Sequence, residues 1–454
     1  MCDNEIKIIE RLQEENALLK EENEILKTSI EELEARLAKY ENAHAPPSLR
    51  QGGNSGTGRK KSSGKKPGQK KGHKGITRPQ PEPDNEVEVN ADRCPYCDTK
   101  LGSPFRIESE IIEDIPEPQP VIVTEFKIAH YTCPRCQREI VATDADCPKE
   151  GRFGNNTIAR ATLLKYEDRL PHRKIRTALK RDYGLKVSPA SILDFTRRGS
   201  DAIRSEYEQI LERIRRAPIL YVDETGIRVQ GKKYWIWIFT TPEDTFVVVR
   251  KSRGMKVLME VLTRRFGGII VCDGWKPYSS FTNRIQRCWA HLLRESKYLA
   301  GKFAEAVYLH KALVRLYQRL DDALKDDPPP VIRERLWHEA RETLMQILGG
   351  EYTNEKVNKL IGKIHNGFEY WFTFVLHPGV ESTNNRAERA LREHVVQRKI
   401  IGTLRNGKGT YIHETVMSVL ATWAQRGLNS LEMLRLRLES ETHTKKERQN
   451  SSQL

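Results

Sequence analysis

The stretch ILYVDE at residues 219–224 and the stretch IIVCDG at residues 269–274 decide the fold of this chain. Each is an uninterrupted apolar run that ends in an aspartate, Asp223 in the first and Asp273 in the second. An apolar run without polar alternation is typical of a strand that is buried on both faces. The repeated pattern therefore predicts two equivalent strands, each of which places a carboxylate at its C-terminal end.

The segment between the two runs predicts how these strands are arranged. Residues 234–240 and 246–249 have the composition of two further strands, and residues 254–266 have helical spacing. In the resulting order β-β-β-α-β, the first and fourth strands can lie parallel and adjacent, so that Asp223 and Asp273 are neighbours at one edge of the sheet. A single aspartate at a strand end is usually a turn former or a helix cap. Two adjacent carboxylates repel each other, so a bound cation best explains the pair, and oxygen ligands suit Mg²⁺ or Mn²⁺ rather than zinc.

A third acidic ligand is expected from a helix. The segment STNNRAERALR at residues 382–392 opens one, with a serine or threonine as its cap. The pattern of residues does not prefer Glu388 to Glu381 or Glu393 as this ligand. A surface salt bridge from Glu388 to Arg392, one helical turn away, is the alternative role for Glu388.

The composition favours a polyanionic partner. The chain has 454 residues, with 77 Lys and Arg against 62 Asp and Glu, which gives a formal charge of +15. Such an excess is typical of proteins that bind nucleic acid or an acidic membrane. The longest aliphatic runs, such as residues 247–249 and 269–271, are too short to span a bilayer, and no signal sequence opens the chain. We therefore expect DNA as the partner, no membrane partner, and a cytoplasmic, nucleoid-associated location.

Residues 5–42 carry a heptad repeat over five heptads. Its two core positions hold mainly apolar residues, together with Asn16 and Asn23, and Glu and Lys lie between them. A repeat of this length predicts a coiled coil, and asparagine at core positions fixes the register and favours a parallel dimer. The alternative is a single amphipathic helix that packs on its own domain. We predict a homodimer through residues 5–42.

Residues 46–83 differ from the rest of the chain in composition. Ten basic residues and no acidic one lie from Arg50 to Arg78, interleaved with Gly, Ser and Pro. Such a stretch cannot bury a core, and its expected work is phosphate contact that does not depend on DNA sequence. The alternative is a linker that only keeps the protein soluble. The predicted DNA contacts of this linker are Lys60, Lys61, Lys65, Lys66, Lys70 and Lys71.

Four of the eight cysteines come as two Cys-x-x-Cys pairs, Cys94 with Cys97 and Cys133 with Cys136. In a reducing compartment such pairs bind metal more often than they form disulfides. Each pair can turn two thiolates towards one tetrahedral ion. We therefore predict a structural Zn²⁺ and not a catalytic one, because four cysteines leave no open coordination position.

The 35 residues between the two pairs predict a zinc ribbon with a long hairpin. Residues 107–112 and 121–129 are strand-like in composition. Cys147 and His130 are nearby spare ligands, so the identity of the four zinc ligands stays open.

The segment that follows the cysteines reads as short helices. A helix over residues 171–183 is followed by Gly184, and a second helix begins after Ser188 as its cap. A helix, a turn that contains glycine and a capped second helix make up the helix-turn-helix outline, which many helix pairs share. Arg197 and Arg198 on the second helix are the expected DNA contacts.

The order of these motifs resembles that of the insertion-sequence-66 family of transposases, over residues 5–430. The coiled coil, the basic stretch and the paired Cys-x-x-Cys motifs agree with the family. So do the segments YVDET, DGW and CWAH at residues 221–225, 273–275 and 288–291. The segment TNNRAER at residues 383–389 is the most specific part of the resemblance.

The resemblance implies an α/β fold with a ribonuclease-H-like catalytic core and a DDE triad. By motif match, the triad is Asp223, Asp273 and Glu388. The resemblance also implies a mostly helical insertion between the second aspartate and the glutamate. Residues 296–380 suit that insertion, because they are rich in helix-forming residues and are broken by three prolines at residues 328–330.

Cys288 and His291 match a Cys-x-x-His signature that is seen in several DDE families. We interpret its role as packing rather than chemistry, since a metal role would need further ligands. The resemblance and the residues together predict the following organisation: a coiled-coil helix at 1–45, a basic linker at 46–83, a zinc ribbon at 84–150, a helix-turn-helix region at 151–205, a catalytic domain at 206–409 with its insertion at 296–380, and a C-terminal helical region at 410–454.

The function expected from these features is that of a DDE transposase with two Mg²⁺ or Mn²⁺ ions per active site. Hydrolysis frees a 3′-hydroxyl at the element end, and that hydroxyl attacks a target phosphodiester. The residues expected to hold phosphates near the metals are Arg386, Arg389, Arg392, Arg398 and Lys399. A DNA-binding regulator or inactive relative without strand transfer is one alternative, and a nuclease that never rejoins strands is another. Accessory proteins of the element stay open as further partners.

Overall fold

The structure is a computed structural model that describes residues 81–142, 144, 147 and 151–451, with side chains as far as residue 440. Of the N-terminal segment it describes residues 16, 19–20, 23–24, 26–31 and 33, all of them helical. The other heptad residues and the basic linker with its six lysines lie outside the described residues. The chain divides into two compact units, one of residues 52–120 and one of residues 1–51 with 121–454.

The smaller unit contains no regular strand within residues 81–120, and its one isolated bridge pairs Arg93 with Lys100. The strand predicted over residues 107–112 is therefore wrong. Ile107 and Ile112 are 84% and 80% exposed, so they have no core against which a pleated surface can pack.

A short hairpin surrounds the second cysteine pair. Strand β1 (His130–Thr132) pairs antiparallel with strand β2 (Glu139–Val141), and His130 Nδ1 lies 2.7 Å from Glu139 Oε1. The strand predicted over residues 121–129 is wrong, because pairing begins only at His130. The apolar side chains of that segment, such as Val123, are largely exposed.

Four helices precede the main sheet: α1 (Asn155–Tyr166), α2 (His172–Tyr183), α3 (Pro189–Ala202) and α4 (Arg204–Arg216). Helix α2 ends at Gly184, whose φ of 66° is the left-handed conformation that glycine adopts without strain. Helix α3 begins after Ser188, whose Oγ accepts a hydrogen bond from the Ser191 N–H at 3.0 Å. Both predicted helix boundaries are confirmed.

The main sheet has the order β5-β4-β3-β6-β7. Its strands are β3 (Ile219–Val229), β4 (Lys232–Thr240), β5 (Thr245–Arg250), β6 (Ile269–Cys272) and β7 (Ile285–Arg287). The first three strands form an antiparallel meander, whereas β6 lies parallel to β3 and β7 lies parallel to β6. The predicted parallel pairing of the first and fourth strands is confirmed.

The two faces of the sheet pack against different helices, because successive side chains of a strand point to opposite faces. Leu220, Val222 and Ile270 belong to a core that also contains residues of α1 to α4. Tyr221 and Val271 belong to a second core on the other face, which they share with the helices after β7.

The helices after the meander are α5 (Met255–Val261), α6 (Lys276–Phe281), α7 (Trp289–Ala300), α8 (Ala304–Leu324), α9 (Pro330–Leu348), α10 (Glu355–His365), α11 (Thr373–Leu376), α12 (Asn385–Ile401), α13 (Gly407–Gln425) and α14 (Ser430–Ser451). The insertion is helical as predicted, and the prolines at residues 328–330 separate α8 from α9. Among the described residues, no helix is long and apolar enough to cross a membrane.

Candidate active site

Asp223 and Asp273 lie side by side just beyond the parallel pairing of β3 with β6. The register pairs Ile219 with Ile269 and Tyr221 with Val271, and continuing it by two residues puts Asp223 opposite Asp273. Both aspartates follow the fully buried part of their strand and are themselves partly buried. The predicted adjacency of the two aspartates is therefore present. The prediction that each strand ends at its aspartate is wrong for Asp223, which lies within β3 because this strand continues to Val229 in its antiparallel pairing with β4.

Burial and repulsion between carboxylates both act on the charges at this edge. Burial raises the pKa of Asp223 well above its ordinary value, and the negative charges of Glu224, Asp273 and Glu388 raise it further. Backbone N–H groups orient both aspartates, from Glu224 to Asp223 Oδ1 at 2.9 Å and from Trp275 to Asp273 Oδ1 at 2.8 Å. Asp223 thus shares its surroundings with three other acidic groups.

Glu388 lies in the first turn of α12, on the side of the aspartates. Its Oε1 lies 3.5 Å from His291 Nδ1, and its Oε2 lies 3.8 Å from Arg294 Nη2. The alternative salt bridge from Glu388 to Arg392 is absent from the described residues. Oε1 of Glu388 is buried and makes no hydrogen bond within the part of the chain that the structure describes.

The two other acidic residues of this segment are already engaged elsewhere. Glu381 accepts a hydrogen bond from Arg386 at 2.8 Å. Glu393 forms a two-pronged ion pair with Arg169, at 2.5 Å and 2.7 Å. Glu381 and Glu393 are therefore paired with arginines, whereas Glu388 is the acidic residue of this segment that lies near Asp223. The residue pattern alone did not prefer one of the three.

A hydrogen-bonded bridge joins the three elements that carry these acids. The Asn384 side-chain amide donates to the carbonyl of Val222 at 2.8 Å, and its backbone N–H donates to Cys288 Sγ at 3.1 Å. The Cys288 backbone N–H donates to the carbonyl of Cys272 at 2.9 Å. Val222 and Cys272 are the residues directly before Asp223 and Asp273. We call Asn384 and Cys288 the asparagine–cysteine bridge.

The bridge also corrects the predicted cap of α12. Asn384, not a serine or threonine, occupies the N-cap position, and its side chain makes no capping bond. Its side-chain amide instead donates to the Val222 carbonyl, and its Oδ1, the atom that could accept a capping bond, is buried without a hydrogen-bond partner among the described residues. The packing role predicted for Cys288 agrees with its burial and with a pKa that burial raises to about 11.

The donor set at this edge fits a hard cation better than a soft one. Cys288, His291 and Glu388 have ligand atoms within 4.8 Å of one another. Glu388 is thus a third candidate ligand beside the two residues of the Cys-x-x-His motif. Burial, however, raises the pKa of the Cys288 thiol to about 11, and its sulfur accepts the Asn384 N–H. The buried, unbonded Oε1 of Glu388 and the repelling aspartates are the features that a divalent cation would relieve.

Glu224 is a further acidic residue near Asp223 and Asp273, it is buried, and the sequence pattern did not predict a role for it. Glu224 accepts hydrogen bonds from Arg253 Nε at 2.7 Å and from the Tyr278 hydroxyl at 2.5 Å. Burial raises its pKa, and the charge of Asp273 adds to the shift. The position of Glu224 directly after Asp223 is the sequence feature that could have drawn attention to it. Strand alternation, however, turns its side chain to the opposite face of the sheet, and its partners Arg253 and Tyr278 are known only from the fold.

The predicted phosphate contacts differ in whether their side chains are exposed or are already bonded within the protein. Arg197 is bound to Asp194 and Asp201, and Arg398 Nη1 donates to Thr225 Oγ1 at 2.9 Å, so neither side chain is fully available. Arg198 is partly buried. The exposed members of the set are Arg389, Arg392 and Lys399.

The two cysteine pairs lie in turns of the same design. In one unit, the Cys94 N–H bonds to the Thr99 carbonyl and the Asp98 N–H to the Cys94 carbonyl, both at 2.9 Å. In the other unit, the Cys133 N–H bonds to the carbonyl five residues on at 2.8 Å, and the N–H four residues on returns to Cys133 at 2.9 Å. The fourth residue after the first cysteine has positive φ in both turns, 57° and 59°. The structural zinc site stays a prediction.

A mixed sheet that carries Asp223 and Asp273 side by side, in a chain with a formal charge of +15, fits an α/β protein that acts on nucleic acid. Residues 150–411 match the model of the Transposase IS66 family, which spans more than half of the chain, so the chain belongs to this family. The resemblance seen in the motifs is confirmed, and the protein is a transposase with DNA as its partner. No curated protein matches the chain.

Proposed function

We propose that this transposase cuts the ends of its element and joins them to target DNA, with Asp223, Asp273 and Glu388 as the catalytic triad of a ribonuclease-H-like core. The observation that carries the proposal is the parallel register of β3 with β6, which makes the two aspartates neighbours. The approach of Glu388 to Asp223, from a helix that follows the insertion, supports the third position.

The three carboxylates would hold two Mg²⁺ or Mn²⁺ ions. When bound, such a pair of ions stabilises the attacking and the leaving oxygen of a phosphodiester. The chain's own residues fix the geometry. Backbone N–H groups orient Asp223 and Asp273, and the asparagine–cysteine bridge joins both strand ends to the start of α12. No covalent protein intermediate is needed.

Phosphate binding is assigned to the exposed cations of α12. Arg389, Arg392 and Lys399 are exposed on the helix that carries Glu388 and can approach the DNA backbone. Arg398 instead ties α12 to β3 through Thr225, and we assign it to positioning the helix.

The cutting step is tested with purified protein, Mn²⁺ and labelled element-end DNA. We expect Asp223→Ala and Glu388→Gln to lower the cutting rate by more than about 100-fold, since even a residue behind a metal ligand costs about 10- to 100-fold. Glu393→Gln is the matched control, because Glu393 lies on the same helix but pairs with Arg169. Glu388→Gln cutting as fast as Glu393→Gln would refute the triad. Salt-dependent DNA binding by a protein that never cuts would favour the regulator instead.

The joining step needs its own measurement. Pre-cut element ends with a free 3′-hydroxyl are incubated with unlabelled plasmid and metal, and joined products are separated by size. We expect joining by the parent protein and none by Asp273→Asn. Cutting without any joining would identify a nuclease that does not rejoin strands.

We further propose a structural Zn²⁺ held by Cys94, Cys97, Cys133 and Cys136, which the twin turns support. We also propose a homodimer through residues 5–42, in line with the exposed apolar side chains of the described heptad residues. We propose a cytoplasmic, nucleoid-associated location, because DNA is the partner of a transposase.

A further inference from the structure

Aromatic and basic side chains form a surface beside the acidic site that the proposed chemistry does not use. Trp275 follows Asp273 by two residues and is 42% exposed. The Arg253 guanidinium carbon lies 4.4 Å from the ring centroid of Trp275 and 4.8 Å from that of Trp235. We call Trp235, Arg253 and Trp275 the indole stack.

The indole stack is held rigidly by hydrogen bonds. Arg253 donates to Glu224, which also accepts from the Tyr278 hydroxyl, and both of these partners are buried. The indole N–H of Trp275 donates to the Arg253 carbonyl at 3.2 Å. A ring that is already fixed loses little conformational freedom when a ligand stacks on it, so the surface is prepared for binding.

Positive charge surrounds the rings. Lys233 Nζ lies 4.9 Å from the Trp235 centroid, and Lys251 Nζ lies 6.0 Å from the centroid of Tyr234. Both lysines are exposed. Aromatic faces for bases and cations for phosphates are the two parts of a surface that binds single-stranded nucleic acid.

Whether a base can stack on Trp275 depends on whether that base is paired in a duplex. Inside a duplex both faces of a base are covered by its neighbours, so an exposed indole finds no free face. An unpaired base offers one, and each base stacked on an aromatic side chain contributes about 1–3 kcal/mol. The Trp275 backbone N–H also donates to Asp273 Oδ1 at 2.8 Å, so the backbone of Trp275 lies beside a carboxylate of the proposed site.

We propose that the indole stack binds an unpaired nucleotide of the strand that is cut, by stacking its base on Trp275. This inference rests on the proposed function, because it assigns a substrate feature to that site. The feature is the absence of base pairing and not a base sequence, since every base has a stacking face. Lys233 and Lys251 would contact the phosphates of the same strand.

Binding to two matched DNA hairpins tests the proposal. Both have the same stem, and one carries a short single-stranded thymidine overhang while the other is blunt. In buffer without Mg²⁺ or Mn²⁺, so that nothing is cut, we expect Trp275→Ala to weaken binding to the overhang hairpin by about ten-fold and to leave the blunt hairpin unchanged. Trp275→Phe should keep most of the affinity. Trp337→Ala is the matched control, because Trp337 also stacks on an arginine, Arg341 at 4.3 Å, but lies on α9 in the insertion.

Fluorescence gives a second readout that does not need a variant. A 2-aminopurine in the overhang should be quenched when the parent protein binds and should stay bright with Trp275→Ala. Equal affinities of Trp275→Ala and parent, equal losses on both hairpins, or an unquenched probe on the parent would each overturn the proposal. Cutting without quenching would refute the stacking alone, and quenching without metal-dependent cutting would refute the proposed function alone.

Discussion

At the scale of single residues, the acidic site destabilises the fold until its charge is neutralised. Asp223 has a raised pKa in the folded protein, whereas in the unfolded chain it returns to about its ordinary value of 3.8. The folded state therefore keeps a proton that the unfolded state releases between these two values. By linkage, the contribution of Asp223 to stability is present below the unfolded pKa and is lost as the pH rises through the folded pKa.

We predict that Asp223→Asn raises the free energy of unfolding of the metal-free protein at pH 7. The asparagine carries no charge at any pH, so it avoids the cost of burying a carboxylate among other acids. Urea denaturation without added Mg²⁺ or Mn²⁺ measures it, and the gain should shrink towards pH 4. Asp244→Asn is the control of opposite sign, because Asp244 is buried and paired with Arg213 and Arg426. Equal stability of parent and Asp223→Asn at pH 7 would contradict the prediction.

The cysteines predict a pattern of reactivity. Burial raises the pKa of Cys272 and Cys288, so these thiols should resist alkylation in the native protein. A hydrogen bond from the Thr99 hydroxyl lowers the pKa of Cys97, and the Cys136 N–H lowers that of Cys133. Mass spectrometry after iodoacetamide treatment should find Cys97 and Cys133 protected by zinc and labelled soon after its removal by a chelator. Fast labelling before chelation would argue against a zinc site.

At the scale of elements, the apolar patterns predicted the strands that are buried in the main sheet. They did not predict contacts that depend on residues from other elements. The runs that end in Asp223 and Asp273 were found because both faces of these strands are covered by their own domain. Residues 107–112 were also predicted to form a strand but are mostly exposed, and composition alone does not reveal whether a core will form. The short strand β7 and the partners of Glu224 depend on contacts between distant parts of the chain.

The edge of the sheet illustrates such a contact. Outward N–H groups of β5 donate to side chains of α13, from Thr245 to Thr422 at 3.1 Å, from Val247 to Ser418 at 2.9 Å and from Val249 to Glu414 at 2.8 Å. The polar residues repeat every fourth position along the helix and satisfy an edge strand that would otherwise be open to pairing. Helical spacing predicts one polar face of α13 but not that a strand lies against it.

We predict that the asparagine–cysteine bridge holds Glu388 in position. Asn384→Asp keeps the shape of the side chain but removes the donor to Val222, and it should lower the cutting rate by about 10- to 100-fold, as loss of a residue behind a metal ligand does. A higher Mn²⁺ concentration for half-maximal rate, with unchanged DNA affinity, separates positioning from loss of fold. Asn385→Asp is the matched control, since Asn385 is exposed one residue further on. Equal metal requirements of both variants would contradict this role.

At the scale of the whole molecule, one hydrophobic core contains residues from regions that were predicted to be separate domains. Residues of α1 to α4, of the sheet and of α13 and α14 share it, so the boundaries predicted at 205/206 and 409/410 do not divide separate cores. Helix α13 covers the edge strand, and α14 packs on α1 through Leu434 and Leu438. The C-terminal region therefore contributes to the stability of the sheet that carries the aspartates.

The N-terminal heptad predicts how two such molecules cooperate. Leu19 and Leu26 are helical core positions and are more than half exposed in one chain, so a partner helix would bury them. We predict that Leu19→Asp with Leu26→Asp converts a dimer to a monomer, measured by light scattering. Glu24→Gln, outside the core positions, should leave the dimer intact. Each monomer keeps its own triad, so cutting of single ends should persist while joining of paired ends is lost. Loss of both activities together, or of neither, would show that the coiled coil does not pair the ends.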